Sequence, residues 1–405
     1  RRGESGVNDM TALRAAAPPL FLLVTLSAIQ PIALNIIAPS TPAMAREFST
    51  DYATVQLTLT IFLFAVALSQ LVTGPLSDRS GRRPVILFSL GAFVAGCLAA
   101  AVAPTIEALI AARVVQAIGS GAAFALARAI IRDTSAREEA ASRIGYMMVA
   151  MLVAPMLSPA LGSLIDGLAG WHAIFFVMAA LGAAAFAIVW RLLPETNLMR
   201  DPDASVAKLA SAFPLLLRSR AFLAYTLSTC ATSAQFFAFV AGAPHVVVES
   251  MGRGPQVYAL WFMVVSLGYA AGNFASGRYA GRIGTERMIL IGGVTTLVGS
   301  AMQLLGALAD PWTPALLFIP ALVMAFGNGA TIPSATASAL SVRPDLAGAA
   351  SGLIGALQLG SSAIIAYLTG HIVPSSPRGL VVIMFIASVI GVLALALQRP
   401  RPTPV

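Results

Sequence analysis

The stretch Gly74-Pro75-Leu76-Ser77-Asp78-Arg79-Ser80-Gly81-Arg82-Arg83-Pro84 joins two long apolar runs of the sequence. The runs cover residues 53–76 and 84–103, and each is close to the roughly 20 apolar residues that a helix needs to cross a bilayer. A short connection rich in arginine between two such runs is typical of a cytoplasmic loop. The stretch therefore predicts two membrane-spanning helices joined on the inner side.

The composition extends this prediction to the whole chain. Its 405 residues are 58% hydrophobic and only 10% charged, whereas soluble domains carry about 25% charged residues. Such a low charge content excludes a soluble enzyme, a disordered protein and a secreted disulfide scaffold. Cys97 and Cys230 both lie in apolar runs, so we expect buried thiols. The chain is predicted to be an all-α membrane protein.

Apolar runs bounded by charged residues, Gly and Pro predict twelve transmembrane helices in two six-helix pseudo-symmetric bundles. The helices cover residues 18–40, 53–76, 84–103, 106–130, 142–167, 171–193, 221–245, 256–277, 286–308, 313–341, 346–371 and 378–397. The domains are an N-terminal segment (1–17), a first bundle (18–193), a linker (194–220), a second bundle (221–397) and a tail (398–405).

The basic residues predict the orientation. Of the 24 arginines and one lysine, 20 fall in segments on the side of the termini, and three, Arg46, Arg253 and Arg378, fall on the other side. Loops rich in Arg and Lys stay in the cytoplasm, so both termini are predicted to be cytoplasmic. Because topology explains the basic charge, we expect no nucleic-acid partner.

A second loop repeats the pattern of the first. Gly277-Arg278-Tyr279-Ala280-Gly281-Arg282-Ile283-Gly284 follows the second helix of the second bundle, 203 residues after Gly74. Two similar loops at equivalent places predict two halves related as parallel repeats.

Several motifs resemble those of the major facilitator superfamily. The Gly74–Pro84 loop is similar to its signature loop, and helix 4 with Arg113, Gln116, Gly119 and Gly121 is similar to its second motif. Helix 5 resembles the antiporter motif through Pro155, Pro159 and Gly162. The segments Leu34–Pro42, Gly170–Phe175 and Leu193–Thr196 resemble the drug-exporter branch called Bcr/CflA, which includes chloramphenicol and florfenicol exporters.

This resemblance implies that the loop is a gate. Asp78 would cap a helix of the opposite half, and the arginines would pair with acids at the inner ends of neighbouring helices, Asp133 above all. The predicted gate residues are Gly74, Asp78, Arg79, Gly81, Arg82, Arg83 and Asp133. The alternative is a basic loop that only fixes the topology.

Arg113 lies inside a predicted span, where a charge costs at least a few kcal/mol and should face a cavity or a partner. Gln116, one turn away, shares its face. The resemblance implies that the two couple the movements of substrate and proton. The alternative is an arginine bound by backbone carbonyls of helix 1, with a purely structural role.

In helix 5, Pro155 and Pro159 each remove a backbone donor and should bend the span. The resemblance implies that this bend, with Gly162, shapes the pathway between the halves. A kink without functional meaning is the alternative.

Helix 1 contains no acid. Many relatives place an aspartate where this chain has Asn35, and a proton carrier needs a group whose pKa moves with its surroundings. Glu107 and Asp133 are the remaining candidates, and His245 is a weaker one. Each could instead cap or anchor its helix.

Polar and aromatic side chains are expected to line a central cavity. The alternative for each polar side chain is a hydrogen bond between helices without a ligand, and the aromatic side chains of helix 7 could equally face the lipid. The candidates are Gln30, Asn35, Tyr146, Gln235, Phe236 and Phe237, with Arg113, Gln116 and Glu107 as coupling residues.

The functional prediction is a secondary transporter that exports small amphipathic compounds by proton antiport and alternating access. It is expected to be a monomer of the bacterial inner membrane, not an enzyme, with no cofactor and no metal site. The alternatives are an uptake or facilitated carrier for a vitamin, a siderophore or a metal such as copper, and a membrane enzyme or sensor. The copper alternative rests on Met147, Met148, Met151 and Met156, which more commonly fill gaps in apolar packing.

Overall fold

The computed structural model describes residues 18–135, 137–198, 200–309 and 311–397, and within these ranges it contains helices and no strand. The predicted segments 1–17 and 398–405 lie outside the described residues. The helices are α1 (Leu20–Asn35), α2 (Thr41–Glu47), α3 (Tyr52–Ser80), α4 (Arg82–Ala101), α5 (Ile106–Thr134), α6 (Arg137–Ala169), α7 (Trp171–Leu192), α8 (Val206–Ala210), α9 (Phe213–Leu217), α10 (Arg220–His245), α11 (Pro255–Ile283), α12 (Thr285–Gly306), α13 (Pro314–Ser341), α14 (Ala347–Ile372) and α15 (Gly379–Ala394).

Eleven segments of the described chain are long and apolar enough to cross a membrane. They are α1 together with α2, then α3, α4, α5, α7 and α10 to α15. With α6, a helix of 33 residues, they give the predicted twelve-helix fold, which is confirmed. Large apolar side chains such as Phe88, Phe274 and Leu308 are more than 70% exposed on its outer surface, as expected where lipid replaces water.

The first span ends differently from the prediction. The chain was expected to leave the membrane near residue 40, but a 3₁₀ turn (Ala38–Ser40) leads directly into α2. Pro39 and Pro42 fix φ at values compatible with helix starts while removing two backbone donors, so the helix breaks and restarts instead of ending. This extension places Arg46 in the last turn of α2.

The two halves repeat each other at a fixed offset. α3 and α11 begin 203 residues apart and end 203 residues apart. The turns that follow them are alike, because Gly81 has φ +100° and Gly284 has φ +90°, a region that side chains with a Cβ rarely adopt. The predicted pseudo-symmetric repeat is therefore confirmed in the backbone.

Each half packs mainly within itself. In the first half α5 contacts α1, α3 and α4, while in the second α10 contacts α13, α14 and α15. Two pairs of long helices join the halves: α3 packs against α14, and α6 packs against α11. The two halves therefore meet along two seams.

The α1–α6 crossing depends on a glycine. A Cβ added at Gly162 would overlap the carbonyl oxygen of Ile36, so the backbones on the two sides of the crossing are in direct contact. In the same helix, a Cβ at Gly167 would meet nothing within 4 Å.

We expect Gly162→Ala to destabilise the protein by about 1–3 kcal/mol, because α6 must move away from α1 to accommodate one methyl group. Thermal unfolding in detergent measures this loss. Gly167→Ala is the matched control, since it changes helix propensity in the same way without a clash. Equal unfolding midpoints for the two variants would contradict the close crossing.

Candidate functional site

Arg113 is fully buried between α5, α1 and α3. Its Nη1 donates to the carbonyl oxygen of Ala33 at 3.0 Å and to Oε1 of Gln116. The guanidinium carbon lies 4.0 Å from the ring centroid of Phe62, a cation–π contact. The helix 1 carbonyl named in the structural alternative is therefore present.

That carbonyl does not satisfy the whole guanidinium. Nε and Nη2 of Arg113 are buried and have no hydrogen-bond partner among the residues that the structure describes. An unpaired buried donor on a charged group is costly. Arg113 therefore has capacity for a further acceptor.

Gln116 fixes the orientation of this arginine. Its Nε2 donates to Sγ of Cys97 at 2.9 Å and lies 3.8 Å from Sδ of Met178. With Nε2 directed at these sulfurs, Oε1 is left to accept from Arg113. The predicted pair of Arg113 and Gln116 is thus brought together.

The polar residues of α1 are nearly buried. Nδ2 of Asn35 donates to the carbonyl of Pro31 at 2.9 Å, and its Oδ1 has no partner in the described part of the chain. Gln30 is 8% exposed. Neither side chain can take up a charge by titration, so α1 supplies no proton carrier here.

Gln235 forms hydrogen bonds between helices, which is the alternative named for this residue. Its Nε2 donates to Oγ of Ser300 at 2.6 Å, to the carbonyl of Met384 at 3.0 Å and to Oγ of Ser388. These partners belong to α12 and α15, so Gln235 holds the second half together internally. A buried amide is directed by the groups that satisfy it, and these lie inside the bundle.

Of the two adjacent phenylalanines, Phe236 faces α11. Phe236 is partly exposed and lies 6.4 Å from the ring of Tyr269 and 6.3 Å from that of Phe262. Phe237 is 7% exposed and meets Phe236 edge-on. Of the two, Phe236 retains free surface for a ligand.

Glu107 does not meet the other candidates. It is exposed in the first turn of α5, which Thr105 caps. A carboxylate in the first turn of a helix complements the helix dipole, which is the anchoring role named as the alternative. The side chain of Tyr146 lies outside the described residues.

The inner loop forms an ion-pair network within the first half. Arg82 lies 2.6 Å from Oδ1 of Asp78 through Nη1 and 2.9 Å from Oδ2 of Asp133 through Nε. Nη2 of Arg83 donates to the carbonyl of Trp190 at 2.8 Å. The expected pairing of this loop with Asp133 is therefore present, while the side chain of Arg79 is exposed.

Asp78 differs from the expectation that it caps a helix of the other half. Its carboxylate binds Arg82, one turn along its own chain. The first turn of α14, in the second half, contains Gly348. A Cβ added at Gly348 would have no atom within 4 Å, so the carboxylate of Asp78 does not lie against this position. The nearby guanidinium satisfies the carboxylate in this conformation, since a charge-assisted contact is stronger than a bond from a neutral donor.

Glu195 is a site residue that was not predicted from the sequence. Its carboxylate accepts from the backbone N–H groups of Arg82, Arg83, Thr196 and Asn197 at 2.8 to 3.2 Å. It thus caps the N-terminus of α4, where the helix dipole favours an anion. Its place in the Leu193–Thr196 motif was the available signal.

The segment after Glu195 connects this loop to the second half. Nδ2 of Asn197 donates to the carbonyl of Asp78 at 2.9 Å, and the backbone N–H of Asp201 donates to the same carbonyl at 3.1 Å. Further along, Leu216 of α9 is fully buried against Phe222 and other apolar residues of the second half. The linker therefore contacts both halves on the inner side.

At the end of the molecule opposite the Gly74–Pro84 loop, which the predicted orientation places outside, side chains of the two halves bind each other directly. Oη of Tyr52 donates to the carbonyl of Ala241 at 2.7 Å, and its ring lies 4.4 Å from that of His245. Nη1 of Arg46 lies 2.7 Å from Oε1 of Glu249. We call these three cross-half contacts the outer closure.

A cavity of about 520 Å³ lies outside the closure, and a small void lies inside it. Arg46, Tyr52, His245 and Glu249 line the outer cavity. Gln56 and Val240 line the void. Tyr52 therefore separates the outer surface from the interface of the halves.

Arg46, Tyr52 and Glu249 were not predicted as site residues. The available signal was their register: Arg46 and Glu249 are 203 residues apart, the offset of the repeat. Equivalent ends of two pseudo-symmetric halves lie near the symmetry axis, where they can meet.

Comparison with known sequences identifies the family. The sequence model of the Major Facilitator Superfamily matches residues 23–358 and 227–405. The uncharacterized MFS-type transporter YdgK of Bacillus subtilis is 32% identical, over 92% of this chain and 93% of its own. Multidrug resistance protein D of Escherichia coli is 29% identical, over 92% of this chain and 94% of its own length. A chloramphenicol resistance protein of Pseudomonas aeruginosa is 30% identical, over 73% and 69%.

Solved structures share the fold at low sequence identity. A D-xylose-proton symporter matches with a TM-score of 0.75 and 14% identity, over 95% of this chain and 97% of its own. A variant of the nucleoside transporter NupG also has a TM-score of 0.75 and 14% identity, over 94% and 100%. At this identity the likeness concerns the architecture alone.

Proposed function

We propose that this chain, which belongs to the major facilitator superfamily, exports small amphipathic compounds across the bacterial inner membrane in exchange for protons. Two relatives named for resistance to drugs cover most of its length, which supports export of drug-like compounds. The single observation that carries the proposal is the fully buried Arg113, a charge held at membrane depth whose Nε and Nη2 have no acceptor among the described residues.

Alternating access would proceed by rocking of the two halves. In the conformation described here the outer closure blocks the path to the outside. Export requires this closure to break while the inner ends of the halves meet. Release of Asp78 from Arg82 would then allow it to cap a helix of the second half, as the resemblance implies.

The bend expected at Pro155 and Pro159 would let α6 follow this movement. α6 packs on α1 within its own half and on α11 across the seam. A helix that lacks two internal donors can change its curvature at a low cost. We assign these prolines to the moving seam.

Proton coupling is proposed without an acid in α1. Asp133 lies at the inner end of α5 in contact with Arg82, and His245 lies at the outer closure. Each is titratable and located where contacts change on rocking. The distribution of arginines supports cytoplasmic termini, and we propose that the protein works as a monomer.

The second candidate is an uptake or facilitated carrier. The neutral Asn35 favours it, because a carrier without proton coupling needs no acid in the pathway. Its substrates would be solutes such as vitamins or siderophores.

Everted vesicles that contain the protein test the proposal. Respiration acidifies their lumen, and a pH-sensitive dye reports the gradient. We expect a phenicol to dissipate the gradient in vesicles with the native protein and not in empty ones. Asp203→Asn is the control variant. It changes an exposed residue of the linker, so the gradient should dissipate as it does with the native protein. Carriage of a phenicol that is indifferent to a protonophore would instead support the uncoupled carrier.

A further inference from the structure

We infer that the substrates of this transporter are anions, or neutral compounds with a strong oxygen acceptor, that bind the free N–H groups of Arg113, and that organic cations are excluded. The inference rests on the proposed function and specifies its substrate class. It is carried by the distribution of charge along the path and by the bonding of one arginine.

Carboxylates are confined to the two ends of the molecule. Every acidic residue that the structure describes lies in a loop or within about one turn of a helix end. Among them, Asp78, Asp133 and Asp166 lie in the last turns of α3, α5 and α6. A compound crossing the middle of the bilayer therefore meets no negative side chain from the described spans.

Arg113 supplies a positive charge at that depth. It is the eighth residue of α5, and at 1.5 Å per residue it lies about 10 Å below the outer end of the helix. A second cation, Arg128, lies nearer the inner end, with its guanidinium 4.6 Å from the ring of Phe124. Glu107, Arg132 and Asp133 lie in the end turns of α5, so the two charges inside the span, Arg113 and Arg128, are both positive.

The bonding of Arg113 indicates what it can receive. The described residues give acceptors to Nη1 but none to Nε and Nη2. These two groups lie on one edge of the guanidinium plane, which is the geometry that pairs with two oxygens of a carboxylate or phosphonate. A nitro or carbonyl oxygen would satisfy one of them.

The same charge opposes cations. Arg113 and a cationic compound about 8 Å away would repel each other appreciably at the effective dielectric of a protein interior. No carboxylate of the described spans offsets this repulsion. The inner entrance adds to the effect, since Arg79, Arg278, Arg282 and Arg287 are exposed there. A basic entrance raises the local concentration of anions and lowers that of cations.

A size-matched pair of ions tests the inference. Tetraphenylborate and tetraphenylphosphonium have nearly the same shape and opposite charge. Binding of each is measured at equilibrium to the full-length protein in nanodiscs, with empty nanodiscs of the same lipid subtracted. We expect the native protein to bind the borate at least about tenfold more tightly than the phosphonium.

Two substitutions isolate the role of the arginine. Arg113→Met removes the charge at similar volume and should abolish the preference, whereas Arg113→Lys keeps the charge and should keep its sign. Unchanged elution on size exclusion shows that each variant is folded. Equal binding of both ions by the native protein, tighter binding of the phosphonium, or no binding of either ion would overturn the inference.

Measurements of flux distinguish a failure of this inference from a failure of the proposed function. Liposomes that contain the protein are given a proton gradient and either chloramphenicol, a neutral compound with nitro and carbonyl oxygens, or ethidium, a cation. Preference for the borate without flux of chloramphenicol would refute export while leaving the site intact. Flux of ethidium at the rate of chloramphenicol would refute the substrate class while leaving export intact.

Discussion

Arg113→Met is expected to lower the rate of transport at least about a hundredfold while leaving the protein folded. Two hydrogen bonds to a charged group contribute about 1.5–3 kcal/mol each. We propose that a bound compound receives them from Nε and Nη2 of Arg113, which have no acceptor among the described residues. Removing them therefore removes more than the roughly 2.8 kcal/mol that corresponds to a hundredfold change.

The stability of Arg113→Met should not fall with its transport rate. We expect it to equal or exceed that of the native protein. Holding a charge out of water costs several kcal/mol, and an apolar side chain of similar volume avoids this cost. Arg113 has only part of its bonding satisfied, so the unfolding midpoint of Arg113→Met should equal or exceed that of the native protein. Proteoliposome flux and thermal unfolding measured on the same preparation check both halves of this prediction.

Arg113→Lys is the control for charge alone. Lysine keeps the positive charge but lacks the planar fork of donors, so partial transport is expected. Full transport in Arg113→Met would show that the arginine only ties α5 to the carbonyl of Ala33, the structural alternative.

Tyr52→Phe is expected to raise the outward-open population about tenfold. The substitution deletes the hydrogen bond from Oη to the carbonyl of Ala241 while keeping the ring beside His245. Tyr52 is 6% exposed, and a buried hydrogen bond contributes about 0.5–1.5 kcal/mol. The upper end of this range corresponds to a tenfold shift.

Arg46→Ala should have a smaller effect, although it removes an ion pair. The side chains of Arg46 and Glu249 are 64% and 44% exposed. Exposed ion pairs contribute about 0–1 kcal/mol, which is no more than a few-fold change in population. Tyr52 is thus predicted to be the main element of the outer closure.

Labelling of a new cysteine measures both shifts. Val240 lines the void below Tyr52 and is 2% exposed, so Val240→Cys reacts with an impermeant maleimide from outside only when the closure opens. The native Cys97 and Cys230 are buried and serve as the background. A larger increase in labelling for Arg46→Ala than for Tyr52→Phe would reverse the assignment.

The helices could be predicted from the sequence because the bilayer imposes a local rule. Each span must be about 20 apolar residues long, and this length is visible without knowledge of any neighbour. The inner loop was recognised for a similar reason: Asp78, Arg79, Arg82 and Arg83 stand close together in the chain.

The face that a helix turns to its neighbours could not be predicted in the same way. Gln235 was expected in the cavity, but it bonds to Ser300 and Ser388, which are 65 and 153 residues away. Which of several buried polar groups it meets depends on how three helices cross. The outer closure was missed for the same reason, since Tyr52 and Ala241 belong to different halves.

The ion pair of the outer closure also carries information about descent. Arg46 and Glu249 occupy equivalent positions of the two halves, because they are separated by the same 203 residues as the starts of α3 and α11. Two identical halves would have brought two arginines or two glutamates together here, and like charges repel. The pair therefore belongs to what distinguishes the two halves and not to what they share, because exact repetition of one half could not have produced it.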